Sequence, residues 1–172
     1  MSLNKTKNPQ QRYIIPDSNQ ILELSPSVLH RFKTYRQSKR RLEAGGLLFA
    51  EFCLPKIIIK EATKPHRKDK RSRYGFIPCR NIQKKLIPQR FDLGFHFIGE
   101  WHTHPEDDPL PSNLDLNSMY DSFIKSKHEL NFFVMIIVGW HKPGLNLWIG
   151  LHNNNGYTRL KGIEEMSLVC SH

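Results

Sequence analysis

The sequence predicts an α/β (α+β) fold: a mixed β-sheet sandwiched by helices, in a single domain spanning residues 1–172. Three observations carry this expectation. A chain of 172 residues is long enough for one core of ordinary size and too short for two comfortable domains. Short apolar, β-branched runs interleave with segments whose apolar residues recur at helical spacing. The run "NFFVMIIVGW" is apolar nearly throughout, as expected of a deeply buried strand.

In chain order, "RYIIP" reads as a first strand. After the turn residues of "PDSNQ", the segment "SPSVLHRFKTYRQSKRRLEAGG" reads as a helix capped by Ser25 or Ser27, with Val28, Leu29, Phe32 and Tyr35 at helical spacing and a basic outer face. Gly45 and Gly46 break that pattern, and "LLFAEFC" and "KIIIKEA" follow as two strands joined around Pro55. Residues 63–75, "TKPHRKDKRSRYG", hold almost nothing to bury and read as a basic surface loop. "FIPC" reads as a strand, and "NIQKKLIPQRFD" as a short helix that Pro88 ends or kinks. "FHFIGEWHTHP" reads as a strand that Pro105 stops. In "SNLDLNSMYDSFIKSK", Leu116, Met119, Tyr120 and Phe123 mark the face of a helix that packs on the core. The last two strands, "NFFVMIIVGW" and "LNLWIGLH", pair across the turn "HKPG".

Lys and Arg outnumber Asp and Glu by 26 to 16, which favours acidic partners without choosing among nucleic acid, protein and anionic lipid. No apolar run approaches the roughly 18 residues needed to cross a bilayer, and "MSLNKTKNPQQ" has no apolar signal region, so a cytoplasmic protein without membrane attachment is expected. Cys53, Cys79 and Cys170 are odd in number and widely spaced, the pattern of buried free thiols rather than of a disulfide framework or a four-thiolate metal site.

The chemistry concentrates in "GEWHTHPEDDPLPSNLDL", residues 99–116. Residues two apart on a strand face the same side, about 6.5 to 7 Å apart. His102 and His104 can therefore reach one metal ion while Thr103 faces away. Ser112 with Asp115 three residues later forms a capping box, which places Asp115 in the first helical turn, where its carboxylate can complete a two-His, one-carboxylate zinc site with an open fourth position for water. Zinc of this kind lowers the pKa of its water toward about 7, and hydrolysis still needs a base. Glu100 shares the strand face of the histidines, Glu43 precedes the Gly-Gly junction, and Glu51 is a third candidate. Periodicity leaves all three open.

Together these segments resemble the JAB/MPN domain family in its zinc-dependent JAMM metallopeptidase branch, whose signature is a distant Glu, then His-x-His-Pro, about six residues, and Ser-x-x-Asp. Here "HTHPEDDPLPSNLD" supplies the second part, and "EAGGLLF" the first. The resemblance covers about residues 42–151 and implies a cytidine-deaminase-like fold. It implies one zinc ion per chain held by His102, His104 and Asp115, with Glu43 as the base and Ser112 as a donor to the oxyanion. The implied activity is hydrolysis of the bond between a ubiquitin-like or other protein C-terminus and a target amine. "GEWHTHP" is most similar to small bacterial JAB isopeptidases found beside E1-like and E2-like proteins in CBASS antiviral systems. There, a CD-NTase (a cGAS-like enzyme) would be the protein deconjugated. The alternative expectation is a nucleic-acid-binding module associated with DNA repair, motivated by the charge and the run "KPHRKDKRSR".

Overall fold

Apolar runs pair into one sheet here, and amphipathic segments cover both of its faces. The elements are β1 (Gln11–Ile14), β2 (Ile21–Leu24), α1 (Pro26–Tyr35), β3 (Gly45–Cys53), β4 (Lys56–Ala62), β5 (Lys70–Ser72), β6 (Gly75–Ile77), α2 (Arg80–Phe91), β7 (His96–Thr103), α3 (Asn113–Lys125), β8 (Phe133–Val138), β9 (Leu147–Asn153) and β10 (Gly156–Arg159). The structure, a computed structural model, describes residues 11–140 and 145–163. Eight strands form a sheet in the order β1-β2-β4-β3-β7-β8-β9-β10, and β5 pairs with β6 as a separate hairpin. The β2/β4 and β7/β8 pairs are parallel and the others antiparallel, giving the mixed sheet the sequence predicts.

The strand β8 shows how the layers meet. Val134, Ile136 and Val138 pack in a cluster with Val28 and Phe32 of α1 and with Trp101 of β7. Phe133, Met135 and Ile137 pack on the opposite face with Met119 of α3 and Trp148 of β9. Burial on both faces explains why this strand is apolar throughout instead of alternating.

One irregularity sets which side chains of β7 face the site. In the β3/β7 ladder Leu48 faces Gly99 but Phe49 faces Phe97, so Ile98 is an extra residue in a β-bulge. Ile98 and Trp101, three apart, consequently share the α1 face, while Phe97 packs on the α3 face. The bulge needs glycine: Gly99 has φ 155°, and a Cβ there would lie 1.8 Å from the Val134 carbonyl oxygen. Gly99→Ala is expected to cost about 3 kcal/mol of stability or more, measured by urea denaturation, because backbone of the central strand β8 must move to admit the methyl group.

Several expectations are corrected. The first helix stops at Tyr35 instead of continuing to Gly45, and residues 36–44 are irregular. No apolar side chain between Arg36 and Arg41 can hold a helical face against the core. The buried Gln37 amide instead donates to the Arg41 and Arg73 carbonyls. Ser25 is the N-cap residue but makes no capping bond, since its hydroxyl meets Ser27 Oγ and the Lys60 carbonyl. Residues 63–75 are not a loop throughout: Thr63 is buried, and Lys70–Ser72 form β5. The helix α2 runs through Pro88 to Phe91, so the proline does not end it.

On α3 it is Leu116, Met119 and Phe123 that pack inward, while Tyr120 is 44% exposed. The strands β2 and β10, each four residues long, carry too little pattern to be distinguished from turns in the sequence. Cys53 is exposed and Cys79 half-buried, against the expectation of buried thiols. Cys170 and the turn "HKPG" lie outside the described residues. Among the described residues, no helix is long and apolar enough to cross a membrane.

Candidate metal centre

The parallel pairing of β7 with β8 continues past the strand end, where the His104 N–H donates to the Val138 carbonyl at 3.0 Å. This extension holds His102 and His104 on one side, their Nε2 atoms 3.0 Å apart. The chain then returns through residues 105–111, tied to the β8–β9 end by the Trp140 N–H to the Glu106 carbonyl and by Asn146 Nδ2 to the Asp107 carbonyl. It enters α3 with Ser112 as N-cap. The Ser112 hydroxyl accepts from the Asp115 N–H at 3.1 Å, and the Ser112 N–H and hydroxyl each donate to Asp115 Oδ2 at 2.7 Å. The cap thus orients the carboxylate that the histidines face. Asp115 Oδ1 lies 3.4 Å from His102 Nε2, and Oδ2 lies 3.4 Å from His104 Nε2.

These ligand-type atoms all lie within 4.8 Å of one another. Separations of 3.0 to 3.4 Å are those that two ligands at about 2.1 Å from a cation subtend at roughly 90–110°, close to the tetrahedral preference of zinc. The donor set of two imidazoles and a carboxylate suits zinc as well. His104 Nδ1 is buried without a hydrogen bond, and its nearest carboxylate is Glu106 at 3.9 Å. Burial pushes the Asp115 carboxyl upward, but hydrogen bonds with His102, His104 and Ser112 outweigh it and hold the group well below the usual carboxylate range. Burial lowers His104, yet the bond and charge of Asp115 and the charge of Glu43 leave its pKa raised.

Glu43 reaches the same cavity from the irregular segment just before β3. Gly45 pairs with His102, and the ladder extends one step as the Thr103 N–H donates to the Ala44 carbonyl at 2.8 Å and the Ala44 N–H to Thr103 Oγ1 at 3.0 Å. The next residue is fixed by the hairpin: the Glu43 N–H donates to the Ser72 carbonyl at 2.8 Å, and Arg71 Nε donates to the Glu43 carbonyl at 2.6 Å. Its side chain lines a cavity of about 400 Å³ with His102, His104, Ser112 and Asp115, under a wall that includes Tyr74, Phe76, Ile77 and Leu114. Glu43 is 6% exposed, and burial pushes its carboxyl up to about 7, with His104 opposing the rise and Asp115 and Glu106 adding to it.

The other two carboxylates differ. Glu100 lines the cavity but is ion-paired with Arg80 at the start of α2. Glu51 pairs with Lys60 across β3 and β4 and does not line the cavity.

Thr103, Gln37 and Arg71 position Glu43, and the sequence reading assigned none of them. The hydroxyl of Thr103 donates to Gln37 Oε1 at 3.2 Å while accepting from Ala44, a role invisible in a residue known only to face away from the metal. Arg71 belongs to a basic run with no local mark of a buried contact. Thr103→Val should cost about 1–3 kcal/mol in thermal or urea denaturation, because the buried Ala44 N–H and Gln37 carbonyl lose their partner.

The sequence profile described as prokaryotic homologs of the JAB domain matches residues 25–149. A protein of Escherichia coli named "CD-NTase/cGAS isopeptidase" is 29% identical over 158 residues, covering 90% of this chain and 96% of that protein. One of the same name from Pseudomonas aeruginosa is 35% identical over 127 residues, covering 72% of this chain and 80% of its own length. The fold is similar to the solution structure of protein DSY2949 from Desulfitobacterium hafniense, with a TM-score of 0.58 at 17% identity, covering 79% of this chain and 87% of that one. The match of the profile over most of the chain, from α1 to β9, places the cavity within a shared domain: the chain belongs to the family of prokaryotic homologs of the JAB domain.

Proposed function

We propose that this protein is a zinc-dependent isopeptidase that hydrolyses the bond between a protein C-terminus and a target amine, the conjugated protein being a CD-NTase. The observation that carries the mechanism is the convergence of Glu43, His102, His104 and Asp115 on one cavity, with Glu43 buried and shifted toward neutral pKa. The substrate class follows from the relatives named for it. His102, His104 and Asp115 would hold the metal. When bound, zinc supplies a Lewis acid and a nucleophile available at neutral pH.

Glu43 accepts a proton at its carboxylate and returns one to the departing amine nitrogen, a cycle suited to a group whose pKa is near the working pH. Ser112 gives both its N–H and its hydroxyl proton to Asp115 Oδ2, so its proposed role as donor to the developing oxyanion requires the hydroxyl to turn from Asp115 toward the cavity it lines, leaving the N–H to hold the carboxylate. Water thus contributes OH to the carbonyl carbon and H to the amine, leaving a free C-terminal carboxylate and an unmodified lysine. E1-like and E2-like enzymes are the class that forms such a bond, and the cytoplasm is the proposed compartment.

The test uses a CD-NTase joined through its C-terminus to a lysine-bearing acceptor, incubated with the zinc-loaded chain in ¹⁸O-labelled water. Mass spectrometry should find both proteins released, ¹⁸O in the new carboxylate, and no release with a chelator. An intact conjugate in the presence of zinc contradicts the reading.

A further inference from the structure

Ten of the 26 Lys and Arg residues, but one of the 16 acids, fall in residues 36–42 and 64–73, so the rest of the chain is close to neutral. The fold joins these two segments. Gln37 Nε2 donates to the Arg73 carbonyl at 2.9 Å, and Arg71 bonds the carbonyls of Glu43 and Leu42. Lys39, Arg40, Lys64, Arg67, Lys68 and Lys70 are exposed, and among the described residues none of them pairs with a carboxylate. The one acid, Asp69, is spent internally: Oδ2 accepts from the His66 N–H at 2.6 Å and Oδ1 from the Cys79 N–H at 2.8 Å. Clustered cations without a carboxylate partner repel one another.

Their place narrows the partner. The backbone that carries this face also fixes Glu43, and the hairpin between them presents Tyr74 and Ile77, 74% and 64% exposed, on the cavity wall. The hairpin is shared by the two: Lys70 pairs with Ile77, which lines the cavity, so a protein whose tail enters past Ile77 meets the cationic face. Resting on the hydrolytic reading above, we propose that this face docks a carboxylate-rich surface of the folded protein substrate and so selects acidic proteins among conjugates with similar tails. A single-stranded nucleic acid would call for aromatic platforms interleaved with the cations, whereas Tyr74 sits under the Arg73 guanidinium, 5.5 Å away.

The experiment compares wild type, Arg40→Glu/Lys68→Glu, and the control Lys84→Glu/Lys127→Glu, which changes net charge equally at exposed sites elsewhere. Each is assayed on the whole CD-NTase conjugate and on a short isopeptide carrying only the last residues of the same tail. On the whole conjugate, kcat/KM is expected to fall at least about tenfold in Arg40→Glu/Lys68→Glu, and in wild type as salt rises from about 0.05 to about 0.3 M. The short isopeptide and the control variant should stay within about twofold of wild type. An equal loss on both substrates, or none on the whole conjugate, overturns the docking surface. If wild type cleaves neither substrate, the hydrolytic reading fails, and fluorescence anisotropy with labelled intact conjugate decides the docking alone: binding at least about tenfold weaker in Arg40→Glu/Lys68→Glu than in the control supports it, and equal binding overturns it. A DNA duplex bound more tightly than the conjugate, through the same two residues, overturns the choice of a protein partner.

Discussion

Glu43→Gln is expected to lower kcat for conjugate hydrolysis by about 10²–10⁴-fold and, at the same time, to stabilise the metal-free protein above neutral pH. Loss of rate follows from removing the group that carries the proton from nucleophile to leaving amine. The gain in stability follows from burial. The folded-state carboxyl is raised from 4.5 to about 7, so between those values the native state binds the proton and the unfolded state has released it. Stability of the wild type therefore falls as pH rises from about 4.5 to about 7, and above that window the deficit is constant at roughly 3 kcal/mol. Glutamine does not ionise, so the variant should exceed the wild type by up to about that amount at pH 8 and show little difference at pH 4. Denaturation midpoints of the chelated proteins at the two pH values measure it. Equal stability at both pH values would show that Glu43 is not a desolvated carboxylate, and its assignment as the base would lose its electrostatic support.

Asp115 serves two structural ends that different substitutions separate. Asp115→Asn retains an oxygen able to accept from the Ser112 N–H but removes the charge, and zinc affinity is expected to fall by more than about 10²-fold, beyond what loss of a supporting residue costs. Asp115→Ala loses the ligand as well as the reciprocal half of the capping box, adding about 0.5–2 kcal/mol of instability to α3. Competition with a chromophoric chelator reads the first effect and urea denaturation of the metal-free proteins the second. Undiminished zinc binding by either variant would remove Asp115 from the ligand set.

Much of the architecture was legible because its elements carry strong periodic signals. The β3, β4, β7, β8 and β9 strands and the amphipathic face of α3 follow from runs of apolar residues, and the capping of α3 follows from Ser112 and Asp115. The convergence of His102, His104 and Asp115 was legible for a related reason, since a strand and a capped first turn each fix where a side chain points. Glu43 was not legible by pattern. It belongs to no helix or strand, and its place is set by the Thr103 bridge to Ala44 and the Arg71 and Ser72 bonds from the hairpin, contacts made 28 or more residues away in sequence. Only the resemblance to a family motif pointed to it, and the structure puts its side chain in the cavity while leaving Glu51 outside.

The errors share a cause. The early end of α1, the short strands β2 and β10, and the folded part of 63–75 are decided by tertiary hydrogen bonds and by whatever the segment happens to meet. Gln37 illustrates it: a polar residue within a segment read as helix is 2% exposed and holds three chain segments together. The bulge at Gly99 is likewise set by tertiary fit, and its mark in the sequence is only the glycine itself.

Zinc titration of the chelated full chain, with cleavage of a CD-NTase conjugate followed at each step, tests the proposed centre most directly. Activity should be absent at the start, rise in proportion to added zinc and level off at one equivalent per chain. Cleavage by the metal-free protein at the rate of the zinc-loaded one, or saturation that needs no metal bound by His102, His104 and Asp115, would contradict a hydrolytic centre built on these residues.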